Sequence, residues 1–163
     1  MKNVLVTAGA AGIGKKIAER FADKGCNIWV CDINESTLDE VPQNWKTSLL
    51  DVSDEIKVKS LFEKITSEWG TLDTVCCNAG NAGPTNLTEK IELSDWKNCL
   101  AVKLEGAFLT SKYAIPLMKK RLAGSILFTS STAGIYGYPN RAPYSAAKWA
   151  IIGSAMARPV HKA

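Results

Sequence analysis

Short apolar runs alternate with segments of helical period along the chain. Asn3–Thr7 reads as a β-strand, followed by Gly12–Lys24, in which Ile13, Ile17 and Phe21 recur at helical spacing. Asn27–Asp32 is a second strand, and Asn34 caps a short helix ending near Glu40. Trp45–Leu50 is a third strand. Ser53 then caps a helix whose buried stripe is Ile56, Leu61, Phe62 and Ile65, stopped by Gly70. Leu72–Cys77 is a fourth strand, and the segment Asn78–Leu93 is an Asn-, Gly- and Pro-rich loop. A long helix runs from about Ser94 to Arg121, with Gly106 inside it and Pro116 bending it. Ser125–Thr129 is a fifth strand. The loop Thr132–Ala142 leads into a last helix starting near Pro143, a suitable first-turn proline.

Strands that read as unbroken apolar runs, each followed by a helix, predict a parallel sheet covered on both faces. The fold class is α/β, a Rossmann-like doubly wound parallel sheet in three α/β/α layers, expected as a single domain over residues 1–163. The composition agrees: 163 residues, 46% hydrophobic and 22% charged, with a net charge of +4. Disorder and low-complexity structure are excluded as the main state. No apolar run approaches a membrane span, and the N-terminus lacks the pattern of a signal peptide. Five cysteines without zinc-site spacing or an evident disulfide pattern point to free thiols, no bound metal, and a reducing, cytoplasmic setting. The only histidine is His161, so Ser-His-Asp or Cys-His chemistry has almost no material.

Charge is uneven. Residues 1–80 carry nine basic and twelve acidic side chains, whereas residues 81–163 carry eleven and four. The tight cluster Lys119-Lys120-Arg121 falls at a helix end, where cations suit the dipole. Neither a nucleic-acid nor a membrane partner is expected.

Two constellations carry candidate chemistry. Thr7-Ala8-Gly9-Ala10-Ala11-Gly12-Ile13-Gly14 links the first strand to a helix, where glycine lets the backbone approach a pyrophosphate held on free helical N–H groups. Asp32 closes the second strand, where a carboxylate accepts from a ribose diol and repels a 2′-phosphate, favouring NAD over NADP. Asp32 also fits a capping or turn role. The second constellation is Tyr144 and Lys148, one helical turn apart, preceded by Ser131 at the end of the fifth strand.

With Asp51-Val52 and Asn78-Ala79-Gly80 added, in this order and spacing, the chain resembles a short-chain dehydrogenase/reductase of the compact type from Asn3 to about Ile152. In texture it is closest to bacterial alcohol and 3-oxoacyl reductases. The resemblance implies an NAD-dependent oxidoreductase that transfers a hydride between the coenzyme and an alcohol or ketone. Tyr144 would be the acid/base. Lys148 would stabilise its phenolate and hold the nicotinamide ribose, and Ser131 would orient the substrate oxygen. Gly9, Gly12, Ile13, Gly14 and Asp32 would bind the coenzyme with Tyr144 and Lys148. Asp51 and Val52 would flank the adenine, while Asn78, Ala79 and Gly80 would line its central part. The family pairs through its long helices, so a homodimer or homotetramer is expected. Asp51 also fits a plain turn, and Tyr136, Tyr138 and Trp149 fit either a substrate pocket or packing.

Three departures from the family pattern stand out. Ala8 occupies the place of its first glycine. Lys103 occupies that of an asparagine, and it has donors but no acceptor; slowed turnover with retained coenzyme binding is the expectation. The third is length: the family continues past this point with further strands and a substrate loop, and Pro159 would break the last helix. On that comparison the sheet lacks the family's last strands and leaves Ser125–Thr129 as an uncovered edge. The alternative to an enzyme is therefore a non-catalytic dinucleotide-binding or interaction protein derived from a truncated member of the family.

Overall fold

The computed structural model describes residues 1–156; Pro159 and His161 lie outside them. Among the described residues five strands form one sheet: β1 (Asn3–Thr7), β2 (Asn27–Asp32), β3 (Lys46–Leu49), β4 (Thr74–Cys77) and β5 (Ser125–Phe128). Their order is β3-β2-β1-β4-β5, and every pairing is parallel. The chain thus winds outward from β1 in one direction and then returns to build the other half. The reversal falls between β1 and β4, with all strand C-termini on one edge, where open α/β sheets bind ligands.

The helices are α1 (Gly12–Ala22), α2 (Glu35–Asp39), α3 (Glu55–Trp69), α4 (Leu93–Leu100), α5 (Gly106–Lys119) and α6 (Ala142–Met156). Strand side chains alternate between two cores. Leu5, Trp29, Cys31, Val75 and Cys77 meet Val58, Leu61, Phe62 and Ile65 of α3 and Ala114 and Leu117 of α5. Val4, Val6, Ile28, Val30 and Cys76 meet Ala18 of α1 and Leu38 of α2 on the opposite face. Because both faces are covered, the central strands read as continuous apolar runs. Burial pushes the Cys31 and Cys77 thiols up to about 12 and Cys76 to about 11, so they stay protonated as small core groups.

Four local expectations differ from the structure. The cap of α3 is Asp54, whose carboxylate accepts from Ile56 N and Lys57 N at 3.0 and 3.1 Å. Ser53 is instead drawn back to Asp51, and Val58, not the 82% exposed Ile56, completes the buried stripe. Ile13 is exposed, leaving Gly14 and Ala18 as the buried residues of α1. Trp45–Leu50 shortens to β3, an edge strand with Lys46, Thr47 and Leu49 exposed.

The long helix 94–121 is interrupted, but not at Pro116, through which α5 continues. Ala101–Glu105 forms a π-helical turn between α4 and α5, a feature often found beside functional sites. Directly after it Gly106 lies against Val52, and a Cβ there would stand 2.6 Å from Val52 Cγ2. α6 packs on β5, α4, the π-turn and a 3-10 turn at Thr132–Gly134, which brings the last helix over the ligand-binding edge.

Candidate active site

The C-terminal ends of β1, β4 and β5 are tied together by side chains. Thr7 Oγ1 accepts from the backbone N–H of Asn78 at 2.9 Å and of Ala79 at 3.0 Å. Asn78 Nδ2 donates to the carbonyls of Thr7 and Ala8, and its Oδ1 accepts from Thr129 Oγ1 at 3.1 Å. This stitch fixes the segment Asn78–Gly80 beside the glycine turn.

The turn itself leaves no room for larger residues at two positions. A Cβ on Gly9 would stand 2.7 Å from Val30 Cγ1, and one on Gly14 would stand 2.0 Å from the Ala8 carbonyl oxygen. Gly12, at φ +52°, faces open space. The N-cap of α1, Ala11, supplies no side-chain hydrogen bond, and no acidic residue sits in the first turn. An uncapped helix start beneath an open glycine is a cradle that fits a pyrophosphate. Asp32 lies beside it: one oxygen accepts from Ala10 N at 3.3 Å, the other from Ile33 N at 2.8 Å. Its remaining acceptor capacity suits a ribose diol.

Asp51 forms a tight turn, accepting from Ser53 N and Oγ, and Val52 is buried in the core against α5. The side-chain hydrogen bonds of Asp51 go to Ser53 and not to the glycine turn. Gly80 sits over the stem of Lys103, with its Cβ position 3.4 Å from Lys103 Cγ.

Ser131, Tyr144 and Lys148 come from β5's exit and α6. Ser131 caps the 3-10 turn by accepting from Ala133 N at 3.2 Å, which leaves its own O–H free to donate. Ser130 Oγ bonds the Lys148 carbonyl at 3.1 Å, fastening that exit to α6. Lys148 is buried, its Nζ donates to the Thr129 carbonyl at 2.6 Å, and it stands 5.7 Å from the centre of the Tyr144 ring. Burial, and next the charge of Lys103, hold its pKa below that of an ordinary lysine.

Lys103 is 1% exposed, on the π-turn. Its Nζ donates to the Asn81 carbonyl, to Asn81 Oδ1 at 2.7 Å and to Cys99 Sγ at 3.6 Å, and it lies 5.0 Å from the Tyr144 ring centre. Desolvation drives its pKa down. Lys103 and Lys148 thus stand against the same ring.

Sequence reasoning missed Arg141, whose guanidinium carbon is also 5.0 Å from that ring. The signal was present in its position three residues before Tyr144, on the same side of the helix start. Thr129 was also missed, and nothing in its local sequence marks it; Thr7 was read only as the start of the glycine turn, without its bonds to Asn78 and Ala79. Tyr136, Tyr138 and Trp149 are exposed; of these, Tyr138 approaches Tyr144, with ring centres 6.5 Å apart.

A family model described as short chain dehydrogenase matches residues 2–161. The chain is 33% identical over 159 residues to the 3-oxoacyl-acyl-carrier-protein reductase FabG of Thermotoga maritima, covering 93% of this chain and 64% of that one. An NAD+-bound xylitol dehydrogenase structure superposes with a TM-score of 0.90 at 29% identity, covering 94% of this chain and 62% of that one. A structure of ElxO with NADP bound gives 0.89 at 30% identity, over 94% and 64%. The chain spans 60–64% of the length of the first curated relatives it matches.

Two predictions follow from the geometry. Ala8 is held at φ +48°, a left-handed conformation that penalises a Cβ. Ala8→Gly should therefore raise the unfolding free energy by about 1 kcal/mol, read by denaturant titration. Lys103, with its folded pKa below 10.5, burdens the fold while charged and stops doing so as pH rises through the folded value towards 10.5. The stability of the parent relative to Lys103→Met should therefore rise with pH over that alkaline window; a flat or falling difference contradicts the burial account.

Proposed function

The chain belongs to the short-chain dehydrogenase family, and we propose that it is an NAD-dependent oxidoreductase acting on an alcohol or carbonyl group through Ser131, Tyr144 and Lys148. The observation that carries this reading is the placement of Lys148: anchored on the Thr129 carbonyl, 5.7 Å from the Tyr144 ring, on the sheet edge that also bears the glycine turn. In carbonyl reduction the Tyr144 hydroxyl gives its proton to the substrate oxygen, and in alcohol oxidation it takes one. A free phenol titrates near 10, so a positive neighbour assists whenever its oxygen carries charge. Lys148 supplies that neighbour, and Ser131 donates its unused O–H to the substrate oxygen, aligning it. When bound, the nicotinamide coenzyme supplies the hydride chemistry.

Family membership supports NAD(P) as the coenzyme. Asp32 supports NAD over NADP, since its carboxylate would face the added phosphate of NADP. Gly9, Gly12, Ile13 and Gly14 hold the pyrophosphate and Asn78–Gly80 line the central part. Asp51 and Val52 bound the adenine through their backbone turn. Five free cysteines, four of them buried, support a reducing, cytoplasmic location. No helix among the described residues is long and apolar enough to cross a membrane. Self-association through the long helices, as a homodimer or homotetramer, belongs to the same reading.

The second reading, a dinucleotide-binding protein without turnover, is favoured by Lys103, whose buried ammonium adds charge beside Lys148. NADH binding and oxidation with a panel of small ketones separates the two. The enzyme reading predicts oxidation that Tyr144→Phe lowers by at least about a hundredfold. Saturable NADH binding without oxidation selects the second reading, and no NADH binding contradicts both. NADPH should bind more weakly than NADH, and Asp32→Ser should narrow that gap.

A further inference from the structure

Three cationic groups converge on one aromatic ring. Lys103 Nζ and Arg141 Cζ each lie 5.0 Å from the centre of Tyr144, and Lys148 Nζ lies 5.7 Å away. The ion pairs among the described residues involve none of the three. Lys103 and Lys148 are held by neutral oxygens instead. Arg141 donates to Thr85 Oγ1 at 2.9 Å and to the Ala82 carbonyl at 2.6 Å, while its Nε is buried with no partner among the described residues. Ser145 Oγ, next to Tyr144 in sequence, is likewise buried without a partner among those residues.

This concentration of like charge is costly to build unless something negative answers it. A single phenolate on Tyr144 would offset one of the three. The pyrophosphate cradle at α1 lies on the glycine turn, not at this ring. Unbalanced positive charge inside a cleft also raises the local concentration of anions. Of the three cations Arg141 is the most accessible, being half-buried where Lys103 and Lys148 are buried. Its terminal nitrogens carry N–H groups beyond the two already used, and a guanidinium fork matches a carboxylate.

We propose that the site takes a carbonyl substrate bearing a carboxylate, with Arg141 as the residue that contacts it and Lys103 and Lys148 supplying the surrounding field. This rests on the oxidoreductase reading above. In the reduction the carbonyl carbon gains a hydride from the reduced coenzyme and its oxygen gains the Tyr144 proton. The products are a hydroxy acid and the oxidised coenzyme, and solvent returns the proton to Tyr144. The carboxylate itself is unchanged.

The test uses pairs matched in size and differing in charge: levulinate against acetonylacetone, and acetoacetate against acetylacetone. For each, KM is measured by NADH oxidation, and binding to the NADH complex is followed by tryptophan fluorescence. The oxo acid of at least one pair should be favoured on the order of tenfold or more, as a charged hydrogen-bonded contact implies. The preference should shrink as salt rises. Arg141→Gln should bring the ratio close to one, and Arg141→Lys should keep part of it. Equal values within both pairs, or a preference that survives Arg141→Gln, overturns the proposal. Turnover of the diketones without any preference removes this inference and leaves the oxidoreductase reading intact. Absence of turnover and of binding for all four compounds removes both.

Discussion

The interaction on which the rest of the structure depends is the side-chain stitch joining the exits of β1, β4 and β5. Thr7 Oγ1 accepts two backbone N–H groups of β4's exit, and Asn78 returns the favour with an amide that reaches the carbonyls of β1 and the hydroxyl of Thr129. Parallel strands end with unpaired backbone groups, and at the reversal of strand order no neighbouring strand covers them. Here two threonines and one asparagine cover them, so three strand exits become one rigid rim. The same Thr129 offers its carbonyl to Lys148, which extends the rim to α6.

From that rim the chemistry follows by position. Glycines 9 and 14 are forced by close backbone and side-chain neighbours, and Gly12 by its backbone angle, which together leave an open cradle at the start of α1. The other half of the rim carries positive charge. Burying two ammoniums beside one ring is unfavourable for the lysines, and desolvation holds both below the usual lysine range.

The sheet was legible in the sequence because its central strands are buried on both faces: Val4–Val6, Ile28–Cys31 and Val75–Cys77 are apolar at consecutive positions. Edges were read less well. β3 is an edge strand exposed at Lys46, Thr47 and Leu49, and the buried Trp45 and Leu50 that flank it read as part of the strand. At α3, Ser53 and Asp54 are both good caps, and the choice is made by Asp51, which captures Ser53 first. The π-turn has no local signature, since the apolar pattern runs on through it while Pro116 offers a more conspicuous interruption that the helix absorbs. That Tyr144 and Lys148 share one face of a helix was legible from their spacing of four. Arg141 and the threonines owe their roles to partners far away in sequence, at Ala82, Thr85 and Asn78.

The central claim is that the glycine cradle and the Tyr144–Lys148 pair serve one coenzyme lying across the rim. The most direct measurement is a single turnover with reduced NAD deuterated at the transferring position of the nicotinamide, followed by mass analysis of the product alcohol. The account predicts deuterium on the former carbonyl carbon, delivered by the parent protein and lost in Tyr144→Phe. A product free of deuterium, or label delivered equally well by the phenylalanine variant, would contradict it.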